Sequence, residues 1–230
     1  MTHAIETSLV SLWGNKYSTN PKHFVCGGVF VGKARILTAK HAFYGRTPAK
    51  IWIRPYADAT QTYPILGEVY LCADLDVALI HIESMPSGAM ALKIDHINDS
   101  NSGAYTLHGY FEGRVECRQK LTALSFNPHD RVYVTSPKFP KGHSGSAVCR
   151  AGRLWGLAIA HYTDPNIDRA AVIAVHQFGD WLGRWIGSSV PQIREKEYFY
   201  SYLKQFDKSE VEGMFKDYLI NTQGAQGASI

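Results

Sequence analysis

The chain has 230 residues, 45% hydrophobic and 19% charged, a balance that builds a sizeable core and excludes a disordered or fibrous protein. Its net charge of +4 comes from 24 Lys and Arg against 20 Asp and Glu without a long basic run, so a nucleic-acid surface is not indicated. No apolar run is long enough to cross a bilayer as a helix.

From the start, Met1-Thr2-His3-Ala4-Ile5-Glu6 has neither a basic opening nor an uninterrupted apolar stretch, so no secretory signal is expected. Alternating or continuous apolar runs predict strands at 5–13, 24–31, 35–39, 50–54, 62–71 and 77–83. Gly, Pro, Asn and Asp clusters separate them, most clearly at 84–88 and 95–103. The third strand ends in Leu37-Thr38-Ala39, and Lys40-His41 follows on a short turn. The sixth is preceded by Asp74-Leu75-Asp76 and runs Val77-Ala78-Leu79-Ile80. A second group of strands is predicted at 104–110, 114–125, 131–136, 146–150, 153–161 and 170–175, with a helix over 176–186.

Gly142-His143-Ser144-Gly145-Ser146 stands before the fourth strand of this second group. A serine hydroxyl is a poor nucleophile until a base takes its proton and N–H groups face the developing oxyanion. A glycine two residues before the serine leaves its own amide unblocked and tolerates a tight turn. Ser144 is therefore the candidate nucleophile, and the N–H groups of Gly142 and Ser144 are candidate oxyanion donors. His41 is the candidate base. Asp76 is the candidate acid that orients it, preferred over Asp74 because it directly precedes the apolar run. The gaps, 76 − 41 = 35 and 144 − 76 = 68 residues, leave room for several strands each. Singly, these residues read better as a Gly/Ser hairpin, a structural histidine and a strand-start cap. Their weight comes from standing together in the order His, Asp, Ser. Motifs for metal or phosphate binding are missing, and the ten His are scattered, with His108, His161 and His176 reading as structural. No metal and no cofactor is expected.

On these residues the chain resembles a trypsin-like (chymotrypsin-fold) serine protease, of the short bacterial, HtrA-like and viral kind. Cys26-Gly27-Gly28-Val29 is similar to C-G-G-x, Leu37-Thr38-Ala39-Lys40-His41 to L-T-A-A-H, and Asp76-Val77-Ala78-Leu79 to D-I-A-L. Ser144-Gly145-Ser146-Ala147-Val148 is similar to S-G-G-P-L, and Leu154-Trp155-Gly156-Leu157-Ala158-Ile159-Ala160 to the strand lining the primary pocket. The resemblance covers roughly residues 5–187. It implies an all-β fold of two antiparallel six-stranded barrels, about 1–90 and 100–176, with a closing helix at 176–187. It also implies that His41, Asp76 and Ser144 form a triad, and that the oxyanion hole is built by Gly142 and Ser144.

The departures are informative. The partner position for Cys26, just after the catalytic His, is Ala42, and Cys149 finds no cysteine near Tyr105; Cys117 lies a strand too late. With Cys72, four free thiols and a cytoplasmic location are expected. His143 stands where digestive members carry the Asp that pairs with a newly cut N-terminus, so conventional zymogen activation is not expected. The resemblance places Lys138, Lys141, Ala158, Ile159, Ala160 and His161 at the substrate pocket. The lysines lean the preference towards Asp or Glu before the scissile bond, with a small apolar side chain next. Asp164 or Asp168 would instead favour a basic one.

Residues 188–230 form an extension. Tyr198, Phe199, Tyr202, Leu203 and Phe206 share one helical face, and Ser209 with Glu212 opens a second helix. This helical hairpin with a loose tail either packs on its own barrel or docks a partner. The whole reads as an intracellular serine endopeptidase with few protein targets and a regulatory protein partner, in a bacterial stress or antiphage-defence setting. The alternatives are a viral polyprotein-processing protease and a non-catalytic interaction module of the same fold. Neither nucleic acid nor membrane is expected as a partner.

Overall fold

Fifteen strands form the framework of the described chain, which in this computed structural model comprises residues 3–32, 34–95, 104–111, 114–115, 119–127, 131–139, 142–161 and 168–186. In the first half, β1 (Leu9–Trp13), β2 (Phe24–Gly32), β3 (Arg35–Thr38), β4 (Trp52–Pro55), β5 (Tyr63–Pro64), β6 (Val69–Leu71) and β7 (Ala78–His81) form one antiparallel sheet. Its order is β5-β4-β1-β2-β3-β7-β6. In the second half, β8 (Tyr105–His108), β11 (Gln119–Asn127), β12 (Val132–Ser136), β13 (Ala147–Arg150), β14 (Arg153–His161) and β15 (Ala170–Ala174) close into a six-stranded barrel. A two-stranded ribbon, β9 (Tyr110–Phe111) with β10 (Arg114–Val115), stands apart from it. Short α1 (His3–Glu6) and α2 (Gly179–Ile186) complete the list. This is the all-β architecture of the chymotrypsin type.

The continuous apolar runs arise because strands at the junction bury both faces. On β2, Cys26 and Phe30 join the core of the first half, while Val29 and Val31 face the second half. Ile36 and Leu37 on β3 divide in the same way, as do Ile80 and Leu79 on β7. Across the junction, Ala147 and Cys149 of β13 and Leu157 of β14 enter the shared cluster, whereas Val148 and Trp155 fill the second barrel. Each fully buried aliphatic side chain contributes about 1.5–3 kcal/mol relative to exposure. Two further ties hold the halves in register. Asp95 Oδ2 accepts from Arg150 Nε at 2.7 Å, and Trp185 of α2 stacks on Tyr70 with ring centroids 4.3 Å apart.

Several boundaries differ from the sequence expectation. The run at 5–13 begins as α1, and its strand starts only at Leu9. The run at 62–71 splits into β5 and β6 on either side of Gly67, which packs so closely on the His81 carbonyl that a Cβ there would collide with it. The two pieces take opposite edges, so the first half is an open seven-stranded sheet where a closed six-stranded barrel was expected. The 104–110 run breaks at Gly109, which packs against Ser146, and the 114–125 run splits into β10 and β11. The closing helix opens as a 3-10 turn, Val175–Gln177, and becomes α2 at Gly179.

Cys26, Cys72 and Cys149 are buried free thiols; Cys117 lies outside the described residues. Among the described residues no helix is long and apolar enough to cross a membrane. The extension at 188–230 also lies outside them.

Candidate active site

His41 and Asp76 meet because their strands are neighbours. Strand β3 pairs antiparallel with β7, with Thr38 opposite Ala78, so the residues just past the end of β3 lie beside those just before β7. After β3 the chain enters a 3-10 turn, Lys40–Phe43, that buries Lys40, Ala42 and Phe43 and leaves the His41 ring about one-third exposed. The Asp76 carboxylate takes two bonds from one residue: His41 N–H reaches Oδ1 at 2.8 Å, and His41 Nδ1 reaches Oδ2 at 2.6 Å. Burial alone would raise the Asp76 pKa, but the adjacent His41 and its hydrogen bonds, with Lys40 behind them, hold it below the ordinary carboxylate value. An ionised carboxylate only accepts, so Nδ1 carries the ring proton and Nε2 of the neutral ring presents a lone pair.

Ser144 sits on a turn closed by the Ser146 N–H on the His143 carbonyl at 2.9 Å. Gly142 has φ +98° and Gly145 has φ +77°, values that an L side chain rarely adopts. The turn is strapped to β14 by Gly145 N–H on the Ala158 carbonyl (2.7 Å) and Ala158 N–H on the Ser146 carbonyl (2.9 Å). It is tied to the first half by Gly27 N–H on the Ser144 carbonyl at 2.8 Å. Thr38 Oγ1 donates to the Gly27 carbonyl at 2.7 Å, so the seam runs from the His41 strand to the Ser144 turn. Among the described residues, no carbonyl accepts the N–H of Gly142 or of Ser144. The Ser144 hydroxyl donates to the Ile159 carbonyl at 2.8 Å, and no described contact joins it to His41. Ile159 occupies a bulge: its neighbours Ala158 and Ala160 oppose Val172 and Ala171 on β15, and Ile159 opposes neither.

The pocket candidates are more scattered. Ala158 supplies backbone straps while its methyl group lies in the second-barrel core. Ile159 turns its side chain into the shared cluster and gives the site its carbonyl. Ala160 is exposed, and His161 continues β14 opposite Ala170. Asp168 Oδ1 accepts from the Lys138 N–H at 2.9 Å and Oδ2 from the Ser136 hydroxyl at 3.4 Å, so this carboxylate braces the loop under the candidate pocket. Lys141 and Asp164 lie outside the described residues. His143 is buried, with its ring 6.1 Å from that of Phe139. Among the described residues no group of three or more His, Cys, Asp or Glu is placed to hold a metal.

Sequence reasoning attached no role to three neighbours of the site. Gly27 and Thr38 make the seam, and Lys40 is a buried cation beside Asp76. A lysine among Leu37, Thr38, Ala39, Ala42 and Phe43 was the visible signal for the last.

No protein-family model matches the chain, and no curated protein matches it. Solved structures do. A scabies mite inactivated protease paralogue superposes with a TM-score of 0.65 at 15% identity, over 79% of this chain and 94% of that one. Human heparin binding protein gives 0.64 at 15%, over 82% and 95%. The Rv3671c protease of M. tuberculosis in its active form gives 0.64 at 17%, over 83% and 85%. These likenesses establish the trypsin-like, chymotrypsin-type fold.

Proposed function

We propose that this chain is a serine endopeptidase that cuts few protein targets and requires no cofactor. The observation that carries the reading is the 2.6 Å contact between His41 Nδ1 and Asp76 Oδ2, with the Ser144 turn bound across the seam to the same half of the molecule. In the proposed cycle His41 Nε2 takes the Ser144 proton as the oxygen attacks the scissile carbonyl carbon. The free N–H groups of Gly142 and Ser144 receive the oxyanion. His41 then gives its proton to the departing amine, leaving an acyl-enzyme, and activates a water that releases the acid. Asp76 keeps the ring proton on Nδ1 and balances the imidazolium.

The buried free thiols of Cys26, Cys72 and Cys149 support a reducing compartment, and hence a cytoplasmic enzyme. In that setting an unrestrained protease is a hazard. The Ser144 hydroxyl, engaged with Ile159, supports a resting form that a regulatory partner or the correct substrate converts. A bacterial stress or antiphage-defence role fits such a device; processing of a viral polyprotein is the other setting.

The same Ser144–Ile159 contact favours a second reading, a non-catalytic interaction module. One structural relative is described as an inactivated protease paralogue. A fluorophosphonate probe separates the two, since it reacts only with an activated serine. The expected result is a single adduct on Ser144 of the whole protein, lost in Ser144→Ala. A natively folded protein that takes no adduct over a wide pH range, with or without protein substrates present, supports the binding-module reading.

A further inference from the structure

Lys40 is the residue of this site that hydrolysis as outlined does not use. It stands one residue before His41, where the resembled L-T-A-A-H pattern has a small side chain, and it is only 5% exposed. An ammonium at such a depth must be compensated. Its Nζ donates to the Cys72 carbonyl at 2.8 Å and to the Ala73 carbonyl at 3.3 Å. Both carbonyls belong to the turn that delivers Asp76. That turn is closed by Cys72 N–H on the Val77 carbonyl (2.9 Å) and Val77 N–H on the Leu75 carbonyl (2.8 Å). The Lys40 N–H reaches the Asp76 carbonyl at 3.3 Å, and the next N–H, that of His41, reaches the Asp76 carboxylate. One side chain and two consecutive amides thus converge on a single five-residue turn.

We propose that Lys40 is a positioning residue for the acid–base pair: its buried ammonium locks the 72–76 turn behind Asp76 and opposes premature protonation of His41. This inference rests on the hydrolytic reading above. The lock fixes the carboxylate that orients the ring. The charge acts separately, because a fixed cation behind Asp76 offsets part of the negative field that would hold a proton on the imidazole. Burial pushes the ammonium below the ordinary lysine range, while Asp76, Cys72 and Asp74 pull it back up. The other titratable groups around the pair are Tyr44, whose ring centroid is 6.2 Å from that of His41, Arg46 and the Cys26 thiol on β2. None of these combines a full positive charge with hydrogen bonds to the turn carrying the acid.

Two substitutions separate lock from charge. Lys40→Gln keeps a donor for the carbonyls and removes the charge; Lys40→Met removes both. The first readout needs no turnover: the midpoint of the His41 ring titration by NMR, assigned by the signal missing in His41→Gln. The second is the rate of fluorophosphonate labelling against pH. In both variants the midpoint is expected to rise by about one pH unit, and the acidic limb of the labelling profile with it. At high pH Lys40→Gln should regain most of the wild-type rate, whereas Lys40→Met should stay about tenfold below it because the turn has slackened. Folded variants with the wild-type midpoint and profile would overturn the proposal. So would failure of both to fold, which would leave Lys40 a role in stability alone. If the wild-type protein takes no label, the hydrolytic reading fails, and the titration midpoint still decides whether Lys40 governs His41.

Discussion

In the first half of the molecule His41 and Asp76 are joined by hydrogen bonds of 2.6 and 2.8 Å, whereas in the second half the Ser144 hydroxyl faces a carbonyl of its own barrel. The candidate acid and base stand at the ends of paired strands within one sheet, so folding that sheet assembles them. The candidate nucleophile belongs to the other half, and its turn meets the first across one backbone bond, Gly27 N–H to the Ser144 carbonyl. On the hydrolytic reading, the Ser144 hydroxyl must leave the Ile159 carbonyl to reach His41. A hydrogen bond such as Ser144–Ile159 is worth about 0.5–1.5 kcal/mol net, a bias of roughly two- to tenfold against a rotamer that leaves it. On that reading the contact is a brake and not a lock.

The sharpest way to break the comparison is to remove each half's contribution. Ser144→Ala and His41→Ala should each lower peptide hydrolysis by roughly 10⁴- to 10⁶-fold while the melting temperature stays near wild type. Asp76→Asn should cost about 10⁴-fold, because the ring then loses its tautomer, and Asp74→Asn should cost little. The reverse ranking of the two Asp variants would move the acid to Asp74. Asp76→Asn also tests the electrostatics. A carboxyl whose pKa is lowered in the folded state contributes stability above the ordinary carboxylate range and loses it as pH falls through the lowered value. Urea midpoints measured down the acid range should therefore fall less steeply in Asp76→Asn than in wild type.

How far the site was legible follows from the same division. The triad candidates could be named because each sits beside a strand end with a distinctive flank: Leu37-Thr38-Ala39 before His41, Val77-Ala78-Leu79 after Asp76, Gly142 and Gly145 around Ser144. Burial of both faces of β1, β2, β3 and β7, whose side chains divide between two cores, explains why the strands were visible as continuous apolar runs. What stayed hidden depended on contacts distant in sequence. At the strand breaks, Gly67 packs on His81 and Gly109 on Ser146, and Lys40 finds its acceptors 32 and 33 residues away. A carbonyl in a bulge, as at Ile159, leaves no mark on side-chain pattern at all.

The seam can be probed by two glycines with the same backbone and different surroundings. Gly145 has φ +77° and Gly152 has φ +76°. A Cβ on Gly145 would collide with the Gly27 carbonyl and lie 2.7 Å from Thr38 Oγ1, whereas a Cβ on Gly152 would meet nothing within 4 Å. Gly152→Ala should cost about 1 kcal/mol, the penalty of the left-handed conformation alone. Gly145→Ala should cost about 3 kcal/mol and also slow labelling of Ser144, because it prises the nucleophile turn from the first half. Equal costs in chemical denaturation would mean that the seam is looser than its distances indicate.

A smaller effect concerns the thiols on either side of the junction. Burial pushes Cys26 and Cys149 up to about 12 and raises Cys72 as well, so at neutral pH almost no thiolate is present. In the native protein all three should resist iodoacetamide for hours and react within minutes once unfolded. Intact mass after alkylation in denaturant without reductant should show every cysteine modified. A resistant pair would indicate a disulfide and argue against the cytoplasmic setting.

The smallest expected effect lies at Lys138, the proposed selector of the substrate side chain. Lys138 is half-buried, and Asp168 is engaged with the Lys138 N–H and the Ser136 hydroxyl. A carboxylate used as a loop brace is less available to receive a basic substrate side chain, whereas an ammonium beside a desolvating pocket attracts an acidic one. Cleavage of a peptide library is therefore expected after Asp or Glu first, and after small apolar residues second. Lys138→Ala should reduce the acidic preference by roughly tenfold and leave cleavage after small apolar residues intact, which is the signature of a selector as opposed to a structural residue. Asp168→Asn, which weakens the brace without removing the cation, should lower cleavage of all substrates alike. Preferential cleavage after Arg or Lys in the wild-type enzyme would reverse the assignment and make Asp168 the selector.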